Sequence, residues 1–182
     1  LIASQNGHAE VVSMLLATDG IRVNQATNNG ATPLLAASVM GHAEVVSMLL
    51  AKTGIEVNQA RSGGWTPLIM ASQKGHADVV SMLLAKEGVK VNQAADGGYT
   101  PLSIASHKGH AEVVSMLLAK QGVNVNQATT SGATPLLAAS IMGHAEVVAM
   151  LLAMEGIDVN QARSGGATPL LAASIMGHAE VV

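Results

Sequence analysis

Histidine is the residue type in this sequence best suited to chemistry, because it ligates metals and transfers protons near neutral pH. Six of the seven histidines recur at intervals of 34 residues, each within a Gly-His-Ala triplet: His8, His42, His76, His110, His144 and His178. A zinc ion needs ligand nitrogens about 2 Å away, whereas packed helices lie about 8–10 Å apart. Successive histidines of this series therefore cannot share one metal. We predict that they are structural residues at an inter-helix turn, hydrogen-bonded to nearby backbone.

The seventh histidine, His107, stands outside that series and precedes Lys108 near the expected end of a helix. An isolated histidine of this kind favours a surface contact over catalysis. The sequence contains no nucleophile elbow, phosphate-binding Gly-rich loop with Lys, His-Glu-x-x-His motif or paired-carboxylate pattern. We therefore predict that the chain is not an enzyme and has no catalytic residue, cofactor, metal site or small-molecule substrate.

The elements that carry these residues follow from an internal repeat. The triplet Thr-Pro-Leu also recurs every 34 residues, starting at Thr32, Thr66, Thr100, Thr134 and Thr168. A unit of this length cannot bury its apolar face alone, so neighbouring units stack into a solenoid. We predict one array over 1–182, with partial repeats at 1–26 and 163–182 and full repeats at 27–60, 61–94, 95–128 and 129–162. Since neither end has a polar capping repeat, we expect a fragment of a longer array.

Each repeat is predicted to contain two short helices followed by a hairpin-like loop. In the repeat from Arg61, Thr66 is a good N-cap, Pro67 suits the first helical position and Gly75 suits a left-handed C-cap. The second helix is expected to run from near Ala77 to Gly88. Three lysines are expected in the last turn of this second helix, Lys52, Lys86 and Lys120, and five methionines in its buried core: Met14, Met48, Met82, Met116 and Met150.

The repeat resembles the ankyrin family. The residues that carry the resemblance are Gly30-Ala31-Thr32-Pro33-Leu34, Ala37 to His42, Val45 to Leu50, Gly54 and Val57-Asn58. Two departures are the period, 34 instead of the usual 33, and the missing His after Thr-Pro-Leu, where Leu35, Ile69, Ser103, Leu137 and Leu171 stand. The resemblance implies an all-α, ankyrin-type α-solenoid of helix–turn–helix repeats joined by hairpin-like loops. It also implies a protein-binding role that uses the loop tips and the outer surface of the first helix.

Composition narrows the choice of partner and compartment. The net charge is −3 and the sequence pI is about 6.1, which argues against a nucleic-acid-binding surface. There is no cysteine, and no long apolar stretch predicts membrane insertion. We expect a protein partner of unknown identity, and an intracellular, cytoplasmic location.

Positions that vary between repeats indicate where recognition would lie, because fixed positions serve stacking. Trp65 and Tyr99 occupy the same position of adjacent repeats, where the others have Ala, and Trp and Tyr are enriched in binding hot spots. The predicted partner-binding residues are Arg61, Trp65, Met70, Gln73, Lys74, Asp96, Tyr99, Ile104, His107 and Lys108. The alternative for the two aromatics is packing over a neighbouring loop. Three apolar pairs at the end of the first helix are either contacts or buried between repeats: Val39-Met40, Ile141-Met142 and Ile175-Met176.

The sequence therefore favours a protein–protein interaction module that binds through a concave face and the loop tips. One alternative is a structural spacer or scaffold without a dedicated partner, which the near-identity of the repeats favours. The other is a regulatory array attached to an enzyme or channel outside these residues.

Overall fold

The computed structural model describes residues 1–182 and contains eleven α-helices and no β-strand. Contacts divide the chain into two compact units, Leu1–Lys90 and Val91–Val182. The first unit contains α1 (Ile2–Gln5), α2 (Ala9–Leu16), α3 (Pro33–Met40), α4 (Ala43–Leu50), α5 (Pro67–Lys74) and α6 (Ala77–Ala85). The second contains a short 3-10 helix (Asp96–Gly98), α7 (Pro101–Lys108), α8 (Ala111–Leu118), α9 (Pro135–Met142), α10 (Ala145–Leu152) and α11 (Pro169–Met176). The helix–turn–helix units predicted from the sequence are confirmed, whereas the array boundaries remain predictions.

The first helix of each repeat begins and ends as its capping residues predict. The Thr66 hydroxyl accepts a hydrogen bond from the Ile69 amide at 3.2 Å, and Pro67 occupies the first turn. At the other end Gly75 has φ +75°, a left-handed conformation that residues with a Cβ adopt only under strain. The Ser103 hydroxyl also accepts from the Thr100 amide, which completes a capping box at the start of α7.

The second helix ends earlier than predicted. α6 stops at Ala85, and the chain turns before Gly88, which has φ +78°. The lysines expected in the last helical turn therefore lie just beyond it. Lys86 still serves a helix end, because its ammonium donates to the Leu50 carbonyl at the end of α4 over 2.7 Å. The cation thus satisfies a carbonyl of the preceding repeat instead of its own helix.

The core of each unit is built from the Val-Val-x-x-Leu-Leu stripe of the second helices. Val46, Val80 and Leu83 are fully buried in the first unit, as are Val114 and Leu151 in the second. The prediction that the methionines belong to this core is wrong: Met48, Met82, Met116 and Met150 are half-buried, and Met14 is 74% exposed. At about 100° per residue, the Met falls beside the stripe that the Val and Leu side chains form.

Candidate functional site

The loop between repeats ends in a tight turn. We call this turn the tip; residues 61–65 and 95–99 are two examples. In the first unit the Arg61 amide donates to the Trp65 carbonyl and the Gly64 amide donates to the Arg61 carbonyl, both at 3.1 Å. In the second unit Ala95 and Tyr99 are joined in the same way, at 3.0 Å. Arg61 and Trp65 form an isolated antiparallel bridge, so their side chains lie on the same face of the tip.

Neighbouring tips within a unit are held together through the backbone. The Ser62 amide donates to the Asn29 carbonyl at 2.8 Å, and the Thr130 amide donates to the Gly97 carbonyl at 2.9 Å. The close approach needs glycine, because a Cβ on Gly30 would lie 2.9 Å from the Arg61 Cα. The tips therefore form rows whose backbone groups are used internally, and whose side chains are the groups left for other contacts.

Five of the ten predicted partner-binding residues belong to the first unit. Lys74 is exposed at the last residue of α5, and Arg61, Trp65 and Gln73 are half-buried. Met70 is only 6% exposed because its side chain packs into the core of α5 and its neighbours. Its inclusion among the contact residues is therefore corrected: Met70 offers little surface to a partner.

The other five belong to the second unit. Tyr99 is 38% exposed, Asp96 and Lys108 are exposed, and His107 is half-buried. Ile104 is 5% exposed, so it is corrected in the same way as its counterpart in α5. A Cβ built on Gly97 would lie 2.9 Å from the Tyr99 ring, which shows that the ring covers its own tip while keeping an exposed face.

The pKa of His107 is altered by its surroundings in the fold. Burial, the positive charge of Lys108 and the proximity of His144 together lower the pKa of His107 below its ordinary value of 6.5. Its backbone carbonyl accepts a hydrogen bond from His144 Nε2 at 3.1 Å. Because the neutral ring is favoured, His107 would meet a partner as a hydrogen-bonding group instead of a cation.

The apolar pairs at the end of the first helix were predicted to be either partner contacts or buried between repeats, and their side chains differ in exposure. Val39 and Ile141 are half-buried, whereas Met40 is 51% exposed and Met142 is 44% exposed. In α11 both members of the pair are exposed, Ile175 by 71% and Met176 by 56%. The second residue of each pair thus adds apolar surface near the end of the first helix.

The histidine series has the structural role expected of it, and the structure adds its acceptor. His76 Nε2 bonds the Val39 carbonyl at 3.0 Å, and His178 Nε2 bonds the Ile141 carbonyl at 3.0 Å. The acceptor lies 37 residues earlier, at the end of the first helix of the preceding repeat. The His76 ring also lies against Gly41, the glycine that ends α3, since a Cβ on Gly41 would be 2.7 Å from this ring.

A second recurring series, the asparagines of the Val-Asn pairs, has a structural role that was not predicted from the sequence. The Asn58 amide donates to the Gly88 carbonyl at 2.7 Å and accepts from the Lys90 amide at 2.9 Å. Asn24, Asn92 and Asn126 repeat this pair of bonds. The recurrence of Val-Asn every 34 residues was the available signal, but only the fold shows that each amide clamps the loop of the next repeat.

The structure brings together no group of three or more His, Cys, Asp or Glu side chains able to hold a metal ion. None of the helices combines the length and apolar character needed to cross a membrane. The predicted absence of metals and cofactors remains a prediction.

Comparison with known proteins identifies the repeat. The family model described as Ankyrin repeats (3 copies) matches residues 1–61, 54–129 and 121–182. An ankyrin repeat domain from Acinetobacter baumannii AYE has a similar structure, with a TM-score of 0.89 at 29% identity over 99% of this chain and 92% of that one. A second ankyrin repeat protein has a TM-score of 0.91 at 23% identity, over 98% and 92% of the two chains. No curated protein matches the sequence. The predicted fold class, an all-α ankyrin-type α-solenoid, is confirmed.

Proposed function

Because the chain belongs to the ankyrin repeat family, whose repeats are generally protein-interaction modules and typically not enzymes, we propose that it binds a partner protein. In each unit the contact surface consists of the tips and the ends of the first helices. In the first unit it includes Arg61, Trp65, Gln73 and Lys74. In the second unit it includes Asp96, Tyr99, His107 and Lys108.

One observation carries this proposal: some large side chains that vary between repeats keep exposed surface, whereas recurring side chains bond the backbone. Met40 and Tyr99 are 51% and 38% exposed, although both are large and apolar or aromatic. The recurring His, Asn and Thr side chains instead bond the backbone, as His76, Asn58 and Thr66 do. Variation at positions that stacking does not require is what a recognition surface would show.

The alternative function, a structural spacer, is supported by the regularity of the hydrogen bonds between repeats. All four asparagine side chains donate to their glycine carbonyl at 2.7 Å, so each junction within a unit is held alike. A uniform array needs no large exposed residue at the tips, however. Trp65 and Tyr99 therefore favour binding over a spacer.

Affinity capture from an extract of the source organism tests the proposal. Trp65→Ala and Tyr99→Ala each remove one aromatic side chain, one in each unit. Ser81→Ala and Ser115→Ala are the matched controls, since both serines are exposed on second helices and Ala149 already stands at the equivalent position.

We expect wild type and both controls to capture the same protein, and at least one aromatic variant to lose it. Identical capture by all five proteins would contradict the proposed surface. No captured protein with any of them would favour the spacer. Circular dichroism checks that each variant is folded.

A further inference from the structure

The charges of this chain are separated between two parts of the repeat. We define the tip segment as the tip and first helix through the His: 1–8, 27–42, 61–76, 95–110, 129–144 and 163–178. We define the loop segment as the second helix and the chain that follows it. The tip segments contain four cations and one acid, namely Arg61, Lys74, Lys108, Arg163 and Asp96. The loop segments contain the other five cations and eleven acids. The tip segments therefore have a net positive charge in a chain whose net charge is −3.

In the first unit the acids are confined to the loop segments. Its tip segments contain Arg61 and Lys74 and no acid, whereas its six acids all lie in loop segments: Glu10, Asp19, Glu44, Glu56, Asp78 and Glu87. Lys74 is exposed and Arg61 half-buried, and the structure gives neither side chain an ion pair. Both cations are thus available to an anion from outside.

Lys74 is the last residue of α5, Arg61 lies in the tip that precedes this helix, and each has an apolar neighbour. Arg61 precedes the helix and shares a face of the tip with Trp65. Lys74 ends the helix, and α3, which packs against α5, presents the 51% exposed Met40 at the equivalent position.

Resting on the proposed function, we propose that the first unit binds an acidic protein segment that offers one carboxylate to Arg61, another to Lys74, and an apolar side chain beside them. The Arg61 guanidinium matches a carboxylate with two parallel hydrogen bonds, and Lys74 supplies a point charge to the second carboxylate. Trp65 and Met40 take the apolar side chain. Carboxylates fit better than a nucleic acid, because two cations in a chain of pI about 6.1 provide too little charge for a phosphate backbone.

Selection from a random peptide library tests this inference without knowledge of the natural partner. Short random peptides are displayed on phage and selected against the full chain. The most enriched peptide is then titrated and its binding followed by the emission of Trp65, the only tryptophan. The same peptide is titrated against Arg61→Ala/Lys74→Ala. The matched control is Lys52→Ala/Lys90→Ala, which removes the same charge from loop segments of the same unit.

We expect the enriched peptides to be rich in Asp and Glu. The best of them should bind Arg61→Ala/Lys74→Ala about tenfold more weakly and the control within about twofold of wild type, with weaker binding at higher salt. Enrichment of neutral or basic peptides, or equal losses in the two variants, would overturn the acidic preference and leave the binding function standing. Displacement of the peptide by polyuridylate at similar concentration would overturn it in favour of nucleic acid. If no peptide is enriched, the inference fails, and the extract capture then decides whether the proposed function fails with it.

Discussion

The His and Asn positions make the same contact in one repeat after another, whereas the residue before the Thr cap changes from Ala to Trp or Tyr and lies near the surface. The His Nε2–carbonyl distances of His42, His76, His144 and His178 span only 2.9–3.1 Å. Trp65 and Tyr99 stand where the other repeats have Ala31, Ala133 and Ala167. Identity between repeats therefore follows contact between repeats, because a stacking residue must fit a neighbour of the same shape. Met40 and Tyr99 vary between repeats and keep exposed surface, so this surface is available to a partner.

The largest loss of stability is expected when one of the recurring contacts between repeats is disturbed. Gly41 and Gly54 both have φ +76°, but a Cβ on Gly41 would lie 2.7 Å from the His76 ring, while nothing lies within 4 Å of one on Gly54. Gly54→Ala should lower the free energy of unfolding by about 1–2 kcal/mol through backbone strain alone. Gly41→Ala should cost about 3–4 kcal/mol, because the displaced ring also loses its bond to the Val39 carbonyl.

Urea unfolding followed by circular dichroism measures both losses. Adding His76→Ala to Gly41→Ala should recover the part due to the clash. Equal losses in the two glycine variants would show that the ring yields freely and that the close packing adds nothing.

The asparagine clamp should give the next largest effect. Asn58→Ala removes one donor and one acceptor, so we expect a loss of about 2 kcal/mol in the free energy of unfolding. Asn160→Ala is the control, because this exposed Asn has no such pair of bonds in the structure and should cost at most about 0.5 kcal/mol. Urea unfolding of the two variants tests the difference. Similar values for both would mean that water replaces the clamp without loss.

Substitutions at the exposed variable positions should reduce partner binding while leaving stability nearly unchanged. Met40→Ser and Met142→Ser remove half-exposed thioethers at helix ends, so the free energy of unfolding should change by at most about 0.5 kcal/mol. Capture of the partner should nevertheless decrease if these residues contribute apolar contact. Unfolding and capture are measured on the same preparations. A large loss of stability would place these methionines with the fixed positions.

The smallest effect concerns pH. Because the pKa of His107 is lowered in the folded chain, the unfolded chain binds a proton more readily as the pH falls below about 6.5. The contribution of His107 to stability is thus complete above that pH and is lost as the pH falls through the folded pKa. NMR titration of the His107 Cε1 proton should give a pKa below 6.5, and His107→Gln should flatten the pH dependence of unfolding in that window. A pKa at or above 6.5 would contradict the burial of the ring.

Local signals predicted the ends of the first helix well and the end of the second helix badly. Thr66, Pro67 and Gly75 act through groups within a few residues of themselves, so their roles can be recognised without a fold. The Lys86 ammonium, just beyond the end of α6, bonds a carbonyl 36 residues away, and no local pattern predicts such a partner. The methionines show the same limit, since hydrophobicity marks them as apolar but not as lying beside the buried stripe.

The sequence by itself determined the repeat length, the family, the two helices per repeat and the positions free to vary, because these depend on periodicity and on short-range capping chemistry. Only the tertiary structure decided which atoms join the repeats within each unit: the His76 ring with the Val39 carbonyl, and the Asn58 amide with the loop at Gly88. It also decided that Met70 and Ile104 are buried while Met40 and Tyr99 keep exposed surface. Exposure and hydrogen-bond partners depend on the neighbouring repeat, whose placement follows from packing and lies outside the reach of any single stretch of chain.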